Sequence, residues 1–187
     1  MEEFFKRLNQ IRQLTEEELN ALSSVIVVQQ LKKGDLWGEE GKRASFIGFV
    51  KKGYLRKYYI KDGLEVTDYF YLENSFTGDI PAIVSKKPSI ANSVAMEPTT
   101  ILSISYSNME LLCDQYHNIE HIMRVMIEQT FITFYYRSFS LISTSPKERY
   151  EKLMAEQPEV LQRVAQYHIA SFLGISPQHL SRLRAKR

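Results

Sequence analysis

Ser176-Pro177 is followed by Gln178, His179, Ser181 and Arg182, with Arg184, Lys186 and Arg187 beyond them. An amide and a guanidinium can each make two coplanar hydrogen bonds, to the edges of adenine and guanine respectively. After Glu159 there is no acidic residue, whereas Arg163, Arg182, Arg184, Lys186 and Arg187 follow, so the basic character is confined to one end. Such an end suits a polyanion: Arg182 is placed to read base edges, and Arg184, Lys186 and Arg187 to meet phosphates. Other chemistry finds less support. His117 and His121 stand four apart, a spacing that can hold zinc on one helical face, but no third ligand is evident nearby and a solvated pair is the simpler reading. The single cysteine, Cys113, excludes an internal disulfide and any cysteine-based zinc or iron–sulfur site held within one chain. A cupin-type barrel enzyme needs histidines projecting from strands, and Val25 to Ile104 contains none. No catalytic residue, metal site or cofactor is therefore expected.

The segment Gln166 to Leu183 predicts two helices that hold these side chains. Ile169, Leu173, Ile175, Leu180 and Leu183 supply a shared core, Ala170 is small where the helices cross, and Gly174 permits a tight turn. Ser176 caps the second helix and Pro177 suits its first position. The pattern is that of a helix-turn-helix with Ser176, Gln178, His179, Ser181 and Arg182 near the exposed start of the second helix. A helical hairpin with a solvated basic face is the alternative. Upstream, Ser145-Pro146-Lys147-Glu148 carries a capping hydroxyl, a helix-starting proline and a reciprocal glutamate, and marks a domain boundary.

Before that boundary, about Asn118 to Ile142 contains neither Gly nor Pro. Met123, Ile127, Phe131 and Phe134 step by three and four, while Val125, Ile132 and Phe139 recur every seven. A long helix apolar on more than one face needs two partners, and the seven-residue recurrence suits a seam between two copies of the chain. Burial inside a monomer is the alternative. Ser107 with Glu110 predicts a capping box for a short helix ending near Tyr116, and Thr15 with Glu18 predicts another for a helix carrying Leu19 and Leu22. Between them lie short β-branched and aromatic runs, Val25–Val28, Phe46–Val50, Tyr54–Tyr59, Val66–Tyr71 and Ile101–Ile104, separated by glycine-containing turns. These predict an antiparallel barrel or jelly roll.

The 187 residues, with 24 basic and 22 acidic side chains, allow two modest domains around real cores. The reading is an α+β chain: an N-terminal helix and β-roll sensor over 1–117, a dimerisation helix over 118–144, and a helix-turn-helix domain over 145–187. The N-terminal sequence has neither the basic region nor the apolar stretch of a secretion signal, and no apolar run approaches membrane length. A reducing cytoplasm and no membrane partner are expected.

The glycine-punctuated roll (Lys33-Gly34-Asp35, Glu40-Gly41, Lys52-Gly53-Tyr54-Leu55-Arg56), the long helix and the terminal helix pair together resemble the family of the cyclic-AMP receptor protein and the oxygen regulator FNR. The run Ile175 to Arg182 looks like a subgroup common in Bacteroidetes. The resemblance implies a homodimeric transcription regulator on double-stranded DNA with a palindromic operator, whose β-roll, a double-stranded β-helix, biases two DNA-binding domains. A ligand-binding β-roll signalling module that does not touch DNA is the competing reading. Relatives that bind cyclic AMP carry a phosphate cassette from Gly-Glu to Arg-Ser. Here it begins as Gly78-Asp79, and ungapped counting puts Ser89-Ile90 at its end. The guanidinium that would neutralise a cyclic phosphate is missing, which argues against the usual cyclic-AMP binding and leaves an unidentified small-molecule effector. Lys86 or Lys87 could substitute only as displaced point charges. The resemblance also places Tyr136 and Arg137, with Tyr135, where relatives close the effector pocket; they line a site or pack the dimer, with packing the simpler role for one tyrosine and an effector contact left to the other with Arg137. The β-wing that often follows the second helix is not in this sequence.

Overall fold

The computed structural model describes residues 1–185, so Lys186 and Arg187, both expected as phosphate contacts, lie outside the described residues. The chain forms two compact units. The first comprises Met1–Lys57 and Phe70–Glu128, and the second comprises Tyr58–Tyr69 and the chain from Gln129 onward.

Two short helices, α1 (Glu2–Asn9) and α2 (Glu16–Val25), open the first unit. The Thr15 hydroxyl accepts from the Glu18 N–H while the Glu18 carboxylate accepts from the Thr15 N–H, so the expected box forms. The first expected strand begins two residues late. Ser23 and Ser24 donate their hydroxyls back to the Leu19 and Ala21 carbonyls and extend α2 through Val25.

Eight strands follow: β1 (Val27–Leu31), β2 (Leu36–Gly38), β3 (Phe46–Lys52), β4 (Leu55–Lys61), β5 (Leu64–Tyr71), β6 (Phe76–Gly78), β7 (Asn92–Ala95) and β8 (Thr99–Ser105). They make two four-stranded sheets, in the orders β1-β8-β3-β6 and β2-β7-β4-β5, an antiparallel sandwich. Helix α3 (Ile80–Ser85) interrupts the strands after β6. The β4–β5 hairpin turns at Asp62 and Gly63, both with positive φ, as a two-residue turn between twisted strands requires.

After β8 come α4 (Tyr106–Gln115) and α5 (His117–Ser143). The expected Ser107–Glu110 box does not form. Ser105 is the capping residue, accepting from the Asn108 N–H at 3.2 Å. Pairing of Ser105 with Phe46 holds the backbone extended to that point, so the helix starts at Tyr106 and Ser107 falls inside its first turn. The core of this unit joins Phe4 and Leu8 of α1, Leu22 of α2, Phe49 of β3, Leu102 of β8 and Ile119 and Ile122 of α5. The Phe4 ring meets Phe49 edge to face, with centroids 5.4 Å apart.

In the second unit, α6 (Pro146–Glu156), α7 (Pro158–Arg163), α8 (Gln166–Leu173) and α9 (Pro177–Ala185) follow α5. The Ser145–Glu148 box forms as expected. Among the described residues, no helix is long and apolar enough to cross a membrane.

Candidate functional site

Helices α8 and α9 bury Ile169, Ala170, Leu173 and Leu180, each 1% exposed or less, together with Val160 of α7. Between the helices Gly174 adopts φ +69. Its N–H donates to the Ser171 carbonyl and that of Ile175 to the Ala170 carbonyl, both at 3.0 Å, which is the Schellman closure of a helix. The Ser176 hydroxyl accepts from the His179 N–H at 3.2 Å and so caps α9. Of the residues singled out on α9, Gln178, Ser181, Arg182 and Arg184 are exposed, as is Ser176 before it, while His179 is half-buried and Leu180 faces the core.

Two arginines complete the end of α8. Arg137 on α5 donates to the Phe172 carbonyl at 2.7 Å and through Nε to the Asp68 carbonyl of β5 at 3.1 Å, and its guanidinium lies 3.8 Å from the centroid of the Phe172 ring. Burial lowers its pKa, against the opposing pull of the Asp68 carboxylate. Arg149 on α6 donates through Nε to the Leu173 carbonyl at 2.9 Å, and also to the carbonyls of Ser140 and Thr144. Arg137 is thus engaged with backbone carbonyls rather than presented to an effector, and Arg149 is not a residue that the sequence points to. Nothing in the run Lys147-Glu148-Arg149 distinguishes it from a solvated helix face.

The expected cassette lies in the first unit. Gly78 ends β6 opposite Ile47, and Asp79 precedes α3. The Asp79 carboxylate accepts the Ser89 hydroxyl at 2.6 Å and lies 3.7 Å from the Lys57 ammonium. The Ser89 backbone is tied to Gly41 and Lys42 on either side. Asp79 and Ser89 are thus brought together, whereas the Ile90 side chain is 72% exposed. Lys86 and Lys87 are exposed as well. Lys57 was missed: Arg56 and Lys57 are adjacent in β4, where alternation sends them to opposite faces, yet both are buried, which residue type alone does not announce.

Tyr136 belongs to the second unit with Arg137. Its ring stands edge to face with that of Tyr135, and both tyrosines are more than half exposed. Along α5, Ile119, Ile122 and Met123 are buried, while Phe131, Ile132, Tyr135, Phe139 and Ile142 are exposed. His117 faces Glu120 and His121 faces Arg124, so the two imidazoles take different partners.

Residues 28–116 match the family profile described as Cyclic nucleotide-binding domain. No curated protein sequence matches the chain. Among solved structures, the chain is similar to the c-di-GMP responsive global regulator CLP of Xanthomonas campestris, at 14% identity and a TM-score of 0.71 over 92% of this chain and 91% of that one. It is also similar to FixK2 of Bradyrhizobium japonicum, at 17% identity and 0.71 over 87% and 84%. The catabolite activator protein of Thermus thermophilus gives 16% identity and 0.60 over 96% and 85%. Residues 28–116 therefore match a cyclic nucleotide-binding domain profile, and the chain shares its fold with Crp/Fnr-type regulators.

Proposed function

We propose that the chain is a homodimeric transcription regulator of the Crp/Fnr type that binds a palindromic DNA site, rather than an enzyme. The observation that carries this reading is the α8–Gly174–α9 unit. A Schellman closure, a glycine at positive φ and a serine cap support its being a helix-turn-helix, with Gln178, Ser181 and Arg182 exposed on the first turns of α9. That is the part of a recognition helix which enters the major groove. Arg182 reads a guanine through O6 and N7, a contact worth about 1–3 kcal/mol of discrimination. Arg184, and by sequence Lys186 and Arg187, meet phosphates.

The exposed aromatic and aliphatic face of α5 supports a seam with a second copy. Two recognition helices about 34 Å apart then match half-sites one helical turn apart. The test is titration of a duplex selected from a random pool by the wild-type chain, beside a scrambled duplex. Arg182→Ala is expected to lose affinity for the selected duplex far more than for the scrambled one. Equal losses on both would make Arg182 a phosphate contact, and absence of any binding by the wild type would favour a signalling module that does not touch DNA.

The β-roll is the sensor of an unidentified effector. Ser89 and Ile90 offer no guanidinium for a cyclic phosphate, and the Ser89 hydroxyl is already bonded to Asp79. Calorimetry with cyclic AMP is expected to show no binding at micromolar concentrations. A saturable heat at one ligand per chain would contradict this and point to Lys57, Lys86 or Lys87.

A further inference from the structure

An α-helix leaves its last four carbonyls without intrahelical donors. In α8 all four are satisfied. Those of Ala170 and Ser171 accept from the N–H groups of Ile175 and Gly174, that of Phe172 from Arg137, and that of Leu173 from Arg149. The first two bonds are local to the turn. The other two come from separate helices, and their cations stand at the negative end of the α8 dipole.

Each guanidinium also holds a second element. Arg137 bonds the Asp68 carbonyl of β5, and Arg149 bonds carbonyls in the last turn of α5 and just after it. Ser171, on the same turn of α8, accepts the Thr67 N–H of β5 at 2.9 Å. A lysine, with one point charge and no planar fork, cannot bridge two carbonyls while stacking on Phe172.

We propose that Arg137 and Arg149 are positioning residues for DNA readout: by closing the end of α8 from α5 and α6 they set the pose of α9, and Arg137 with Ser171 ties that pose to the β4–β5 hairpin. The proposal rests on reading α8 and α9 as the DNA-binding pair, but its structural half can be measured without DNA.

The experiment compares the wild-type chain with Arg137→Lys and Arg149→Lys, both of which keep the charge. Hydrogen exchange at the Gly174 and Ile175 amides is expected to rise about tenfold in each variant, with β8 amides unchanged. Affinity for the selected duplex is expected to fall about tenfold, and affinity for the scrambled duplex by no more than about twofold. Unchanged exchange at Gly174 and Ile175 would overturn the proposal whatever the DNA result. Equal losses on both duplexes, or loss of β8 protection in both variants, would also overturn it by assigning the arginines to charge or to general stability. A wild-type chain that binds no duplex would instead defeat the DNA-binding reading and remove the readout role, leaving the exchange arm to judge only the closure of α8.

Discussion

Lys57 and Asp79 carry opposite charges into the sandwich, where the lysine side chain is 8% and the aspartate 17% exposed. Removing one partner of such a pair costs more than the pair itself contributes, because the remaining charge stays in a poorly solvated site. Asp79→Ala is therefore expected to lower stability by on the order of 2 kcal/mol in urea unfolding, below the range for fully buried pairs because Asp79 is partly exposed. A midpoint that does not move would show that Asp79 is dispensable to the fold and free to serve a ligand. At this scale the sequence was legible where chemistry is local. Gly174 at a positive φ and Ser176 as a cap follow from residue type and position alone. Lys57 and Arg149 were not legible, since each acts on a group distant in the chain: Asp79 for the first and the Leu173 carbonyl for the second.

Among the elements, α5 shows how far periodicity reaches. Its length was readable from the absence of Gly and Pro, but of the three-and-four series Met123 is buried whereas Ile127 and Phe131 are 40% and 69% exposed, and the buried positions Ile119 and Ile122 lie outside that series. The seven-residue recurrence of Val125, Ile132 and Phe139 reports a second face, and Ile132 and Phe139 are exposed at 52% and 54%. Under the proposed dimer, Ile132→Asp is expected to leave the secondary structure unchanged and to give a monomer in light scattering where the wild type gives a dimer, because the seam would bury an unpaired carboxylate. An unweakened dimer would move the seam elsewhere. Two capping boxes were legible and a third misled, since Ser105 and Ser107 are equally suitable by type and only the pairing of β8 with β3 decides between them. The strands β2, β6 and β7 escaped notice because three or four residues are too few to display a period of two. They are found only through their neighbours in the sheets.

Across the whole molecule, residues 28–116, which match a cyclic nucleotide-binding domain profile, are followed by one helix that runs from His117 to Ser143 and then by the C-terminal helices. The division between compact units falls within that helix, after Glu128, and assigns the Tyr58–Tyr69 hairpin to the C-terminal unit. No reading of strand periodicity anticipates this, because the contacts between the hairpin and that unit are made by single side chains: the Thr67 N–H donates to Ser171, Arg137 donates to the Asp68 carbonyl, and the Tyr69 ring meets that of Phe134. Under the proposed function, two chains read one DNA duplex through α9. Native mass spectrometry of the wild-type chain with the selected duplex and with a half-site duplex tests it most directly. Two chains are expected on the full duplex, with a much weaker complex on the half-site and loss of the two-chain complex with Ile132→Asp. A single chain bound equally well to both duplexes, or no retained duplex at all, would contradict it.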